Sequence, residues 1–201
     1  MNFEMKSQNN FEHLSQLQES LNFLHIDELR DACKILKIPS KGKKPFMISC
    51  ILTFLETGEI LNEPNIPLVS IAPKGQKISL SLDSLILKGD YKNNLKTRCF
   101  FKDIIGDHFH FTAFAIDWIN ERWIDGKPPT YREYAQMWVE ETARRKEYGS
   151  KPKEEWAYIN HVQKLKIVNP SISRDEIIDE WNITRRKNKR IVQDILGIAD
   201  E

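Results

Sequence analysis

Residues 34–52 read "KILKIPSKGKKPFMISCIL", with five lysines, one glycine, two prolines and no carboxylate, and with apolar residues crowding both ends. Upstream, Ile26, Leu29, Cys33 and Leu36 recur at helical spacing, so a helix runs into this stretch. Ile38 stands before Pro39 and is pushed to extended geometry, which ends that helix. Gly42 suits a turn, and Pro45 fits the first turn of a new helix, where a missing N–H costs nothing. Met47, Ile48, Ile51, Leu52 and Leu55 supply the buried face of that helix, and Thr57-Gly58 ends it. The reading is helix, extended loop, helix.

The charge of this stretch stands out against the whole chain. The 201 residues carry a formal net charge of +1, so affinity for a polyanion must come from local patches. No acid occurs from Ala32 to Leu55. A helix N-terminus offers free N–H groups and a partial positive charge, a ready anion site. Lys41, Lys43 and Lys44 stand at that N-terminus, and Lys34 and Lys37 stand late on the preceding helix. A phosphate-binding P-loop is excluded, because no glycine stands five residues before Gly42 and no Ser or Thr closes the motif.

The stretch "HIDELRDACKILKIPSKGKKPFMISCILTFL" resembles a SAP motif, at about 24–55, the helix-extended loop-helix module of many chromatin and DNA-repair proteins. The matching residues are Leu29, Leu36, Ile38, Ser40, Gly42, Lys44, Met47, Ile48 and Ile51. The resemblance implies weakly specific binding of double-stranded DNA, often AT-rich. Lys41, Lys43 and Lys44 would contact phosphates with their side chains in water, Ser40 and Gly42 would let the backbone approach, and Lys34 and Lys37 would widen the patch. The sequence departs from the pattern at Cys50, where SAP motifs usually carry an arginine or lysine.

The remainder reads as mainly α. Phe11, Leu14, Leu17, Leu21 and Leu24 mark an amphipathic helix ahead of the motif. Residues 59–76 hold three prolines and no helical period, so they read as a linker, partly packed through Ile66, Leu68 and Ile71. "KISLSLDSLILKGDY" alternates at Ile78, Leu80 and Leu82, and "HFHFTAF" alternates similarly, which leaves room for a small two-stranded ladder. "NNLKTRCFFKDIIG" reads as a helix closed by Gly106.

The C-terminal half contains a repeat, at about 112–142 and 155–185. Ile-Asn recurs at 119–120 and 159–160, and each pair is followed by a proline-containing loop. A capping box comes next, Thr130 with Glu133 and Ser173 with Glu176, and eight residues after each cap stands Trp138 or Trp181. Tyr131, Tyr134, Ala135, Trp138 and Val139 form one buried face, and Ile177, Ile178 and Trp181 form its counterpart. The expected organisation is an N-terminal helix plus SAP-like unit over 1–58, a linker over 59–76 and a helical C-terminal domain over 77–201. Within the last, Thr97, Phe100, Phe101, Ile105-Gly106, Phe109, Phe111 and Trp118 resemble the uncharacterised second domain found behind a SAP motif in a group of bacterial proteins. That likeness bears on architecture alone.

A second basic cluster, "ITRRKNKR", places Arg185, Arg186, Lys187, Lys189 and Arg190 together with no acid from Asn182 to Gln193. Cations are favoured near a helix C-terminus, but five in six residues exceed that need, so a second phosphate-contact surface is expected. Cys33 and Cys50 occupy apolar positions and read as buried thiols of a reducing compartment; Cys99 is the third cysteine. His108 and His110 share a face without a third ligand, so neither a metal nor a cofactor is expected. Nucleophile elbows and paired catalytic acids are missing, and in "EETARRKEYGSKPKEE" acids alternate with bases as on a solvated face. No run approaches a membrane span, and the N-terminus lacks the pattern of a signal peptide. The sequence thus predicts a cytoplasmic protein, nucleoid-associated if bacterial, that binds DNA without catalysis. The alternative is a protein-interaction adaptor or accessory subunit using the same motif and the aromatic repeats.

Overall fold

The computed structural model describes residues 13–75 and 79–198. They form a mainly α-helical protein of eight α-helices. These are α1 (13–21), α2 (Ile26–Ile35), α3 (Lys44–Thr57), α4 (Leu95–Ile105), α5 (Ala113–Ile124), α6 (Tyr131–Tyr148), α7 (Ala157–Val168) and α8 (Arg174–Leu196). No helix among the described residues is long and apolar enough to cross a membrane. Phe11 and Ile78, which the sequence reading placed on a helix and a strand, lie outside the described residues.

The chain divides into two compact units, one running to Glu63 and resuming at Lys151, the other spanning Pro64–Ser150. This corrects the expected organisation. The break after Glu63 falls inside the 59–76 linker, but residues beyond Ser150 return to the first unit and do not extend the second. The physical reason is the inner stripe of α8. Val192 is 1% exposed and shares a core with Leu17, Leu21, Leu29, Met47 and Ile51, and Leu196 packs on the same core. Each such side chain contributes roughly 1.5–3 kcal/mol when it leaves water, more than a solitary C-terminal hairpin could recover. The two helix-loop-helix repeats therefore sit in different units, α5–α6 in the second and α7–α8 in the first.

In the first unit α2 begins with the Glu28 carboxylate accepting the His25 N–H at 2.7 Å. It ends in a Schellman turn, with Ile38 N–H donating to the Cys33 carbonyl (2.9 Å) and Lys37 N–H to that of Lys34 (3.0 Å). The left-handed residue of this turn is Lys37, with φ 58°. Ile38 then drops into the core, and an extended loop leads to Lys43, whose φ and ψ (−79°, 158°) open α3. Gly58 in the left-handed conformation closes α3.

The second unit is built around aromatic rings. Phe101, Phe109, Tyr134 and Trp138 are at most 2% exposed. Phe101 lies 4.5 Å from Tyr134 and 4.9 Å from Phe109, centroid to centroid. Burial pushes the Tyr134 and Tyr131 phenols up to about 12. Gly106 closes α4, as the sequence predicts, and Asn94 caps its start by accepting the Thr97 N–H. The Thr130–Glu133 and Ser173–Glu176 capping boxes both form.

The small ladder does not form among the described residues; two isolated bridges, Ile71 with Lys88 and Leu85 with Thr130, are present. The partners of each alternating stretch lie elsewhere. Ile86 N–H donates to Pro129, while the Ser84 and Leu82 carbonyls accept from Tyr131 and Arg132. The His110 carbonyl accepts the indole N–H of Trp138 at 3.1 Å. Loop-to-helix bonds thus consume the backbone groups a ladder would need. Five expected core positions are also corrected. Val139 is 48% exposed, Leu55 38% and Ile178 36%, because each falls at the margin of its helix's apolar stripe, and Leu68 at 86% and Ile71 at 39% leave the linker packed through Ile66.

Candidate nucleic-acid interface

Along the loop between α2 and α3 the lysines separate into two kinds. Lys34, Lys37, Lys41 and Lys43 are exposed. Lys34 pairs with Asp31 at 2.8 Å, but both side chains are 65% exposed, so the pair is weak and readily exchanged. Lys44 behaves otherwise. Its ammonium donates to the carbonyls of Asn22 (2.6 Å) and Leu24 (2.8 Å), in the turn that follows α1. Burial lowers its pKa, with Glu155 acting against that, Arg185 reinforcing it and Glu28 opposing it. The expectation that Lys44 faces water and contacts phosphate is therefore corrected. Two of its three donors are committed inside the protein, and Lys44 ties the start of α3 to the end of α1.

Gly42 has φ 113°, a conformation that side chains rarely adopt. A Cβ there would come within 2.6 Å of a Glu63 carboxylate oxygen and 2.9 Å of the Phe46 ring. Ser40 is half-buried in the extended loop. Lys43 takes the N-cap position of α3, no side chain caps that terminus, and its first turn holds no acid. The starts of α5 and α7 also lack a side-chain cap, whereas α4, α6 and α8 begin with caps from Asn94, Thr130 and Ser173. The start of α3 thus combines uncapped N–H groups with the exposed ammonium groups of Lys41 and Lys43, the local chemistry that suits an anion.

Cys50, at the position where the SAP pattern carries a base, is 1% exposed and faces inward, its Sγ 4.0 Å from the Leu61 carbonyl. Burial raises the Cys50 and Cys33 thiols, the latter to about 11, so both stay protonated. Cys99 is exposed. His108 and His110 are exposed on either side of buried Phe109, each ring 5.7 Å from Trp138. Among the described residues no group of three or more His, Cys, Asp or Glu is placed to hold a metal ion.

The second basic cluster also splits. Arg185 forms a short ion pair with Glu28 of α2, and Lys189 reaches the other oxygen of the same carboxylate at 3.3 Å. Burial works against the Glu28 charge, but the His25 N–H and the Arg185 and Lys189 cations together hold its pKa below the ordinary carboxylate value. Arg186, Lys187 and Arg190 remain exposed. Glu28 is the residue that sequence reasoning missed. Its place three residues after a helix start was visible, but its partner lies 157 residues away and no local pattern announces it.

Trp138 is buried, as the sequence predicts, whereas Trp181 is only half-buried. Trp181 stacks on Phe23 at 5.4 Å and meets the edge of Tyr158 at 5.2 Å. These rings line a groove of about 400 Å³ that also includes Trp156, Glu155 and Lys44. Trp156 and Tyr158 are 38% and 43% exposed.

Residues 76–141 match a family model described as a domain of unknown function (DUF6434). The match covers α4, α5 and most of α6. No curated protein and no solved structure matches the chain.

Proposed function

We propose that this protein binds duplex DNA without catalysis, through a SAP-like helix-extended loop-helix unit formed by α2, the loop and α3. The observation that carries the reading is the uncapped start of α3, whose first turn holds no acid, with Lys34, Lys37, Lys41 and Lys43 exposed around it and the Glu63 carboxylate beside Gly42 as an opposing charge. Lys44 serves the site indirectly, by holding that helix start in place. Four lysine contacts would contribute about −3.6 to the slope of log affinity against log salt. Binding at physiological salt would be weak, about 10⁻⁴ to 10⁻⁶ M if it is mainly electrostatic. The loop lysines act as point charges and no arginine or amide side chain stands in the turn, so phosphates are contacted and base edges are not read. Gel shifts of the full chain on duplex DNA at two salt concentrations test the reading; no shift at low salt would refute it.

One observation favours a second reading, a protein-binding adaptor. Trp156, Tyr158 and Trp181 leave aromatic surface open on a groove beside Lys44, and such rings are frequent anchors in protein interfaces. A partner seated there would bind with little dependence on salt and would be lost on Tyr158→Ala.

A further inference from the structure

We propose that the outward face of α8 is a second phosphate-contact surface of the same unit, so that duplex DNA is held jointly by the loop lysines and by Arg186, Lys187 and Arg190. This rests on the DNA-binding reading and extends it to the far end of the chain.

The periodicity of α8 separates its cations. Arg185, Lys189, Val192 and Leu196 recur at helical spacing and form the inner stripe, where Val192 and Leu196 pack on the core and Arg185 and Lys189 engage Glu28. Arg186, Lys187 and Arg190 fall on the opposite side with Ile183. All four are exposed. They line a shallow groove of about 660 Å³ in which, among the described residues, the one acid is Asp194. Arg186 is positioned by its Nε–H, which donates to the Asn182 carbonyl at 3.3 Å. Among the described residues no carboxylate is paired with any of the three cations.

Three exposed cations on one side of a helix repel one another, and these stand inside α8, before a last turn that holds no base, so the helix end does not account for them. A polyanion relieves that repulsion. Arg186 and Arg190 are about 6 Å apart along the helix axis, a length over which a duplex presents roughly three or four phosphate charges. The Glu28 clamp supplies the link to the loop. Glu28 lies in the first turn of α2, and the Lys44 ammonium at the start of α3 bonds the Leu24 carbonyl, two residues before that same helix. The basic part of α8 therefore passes the end of the unit at which α3 begins. Arg185 and Lys189 position the helix; Arg186, Lys187 and Arg190 meet the ligand.

The test uses the full chain and a duplex of about 20 base pairs, titrated across a range of salt. Arg186→Gln/Lys187→Gln/Arg190→Gln should flatten the log–log salt slope by about 2.7, at roughly 0.9 per contact. Its circular dichroism and melting should match the parent, since these side chains are exposed. An unchanged slope in this variant, with a flattened slope in Lys37→Gln/Lys41→Gln/Lys43→Gln, would overturn the α8 surface and leave the loop reading standing. The reverse pattern would establish the α8 surface and remove the loop. No binding by the parent chain would overturn both. Capture of phosphatidylserine vesicles that depends on the three α8 residues, with the DNA slope unchanged, would also overturn the proposal.

Discussion

Lys37 holds a backbone conformation that glycine would hold more cheaply. It is the left-handed residue of the Schellman turn after α2, with φ 58°. A non-glycine residue in that region costs about 1–2 kcal/mol, whereas glycine adds roughly 0.4–1 kcal/mol of unfolded-state entropy. Lys37→Gly should therefore stabilise the first unit by about 0.5–1 kcal/mol. Lys37→Ala keeps the strained φ and should be nearly neutral. With a urea m-value of about 1–3 kcal/mol/M, the glycine variant should raise the midpoint by roughly 0.5 M at unchanged m. Both variants remove one exposed ammonium and should flatten the DNA salt slope by about 0.9. Stability and binding would then move in opposite directions in Lys37→Gly, as expected where a strained position is kept for function. Urea titration followed by circular dichroism, with salt-dependent DNA titration of the same samples, makes the measurement. Equal midpoints for the glycine and alanine variants would refute the strain at Lys37, and an unchanged salt slope in both would remove Lys37 from the interface.

Lys44→Ala leaves the Asn22 and Leu24 carbonyls without their charged donor and should destabilise by about 1.5–3 kcal/mol while leaving the DNA salt slope unchanged. Glu28 has a folded-state pKa below its ordinary value of 4.5, so its contribution is present above that pH and is lost as the pH falls through the lowered value. Acid titration should therefore show a larger loss of stability below about pH 4.5 in the parent chain than in Glu28→Gln, which keeps the loss due to the lowered Glu133, Glu141 and Glu176. Limited proteolysis should cut near Glu63–Pro64 and Ser150–Lys151, after which the N-terminal and C-terminal fragments should co-elute, since both contribute to one core; separate elution would contradict the shared core.

Local chemistry was legible and distant pairing was not. The Thr130–Glu133 and Ser173–Glu176 boxes, the Gly106 end of α4 and the Gly42 turn each depend on residues within a few positions, and each has a signature in the sequence. The burial of Trp138 followed from helical spacing alone. Lys44 defeated the same reasoning, because an ammonium in a basic run looks solvated until the Asn22 and Leu24 carbonyls arrive from 22 and 20 residues away. Arg185 and Lys189 were indistinguishable by type from Arg186, Lys187 and Arg190; helical spacing puts the first two in line with Val192 and Leu196, but their partner Glu28 had no local signature. The return of α8 to the first core was hidden for a related reason. An amphipathic stripe states that it needs cover, not which element supplies it.

Whether the charge gathered around Gly42 meets phosphate is decided by comparing the salt dependence of duplex binding in the parent chain and in Lys37→Gln/Lys41→Gln/Lys43→Gln. Phosphate contact at all three lysines makes the slope of the variant flatter by about 2.7, with circular dichroism unchanged because all three side chains are exposed. Equal slopes in two equally folded proteins would contradict it.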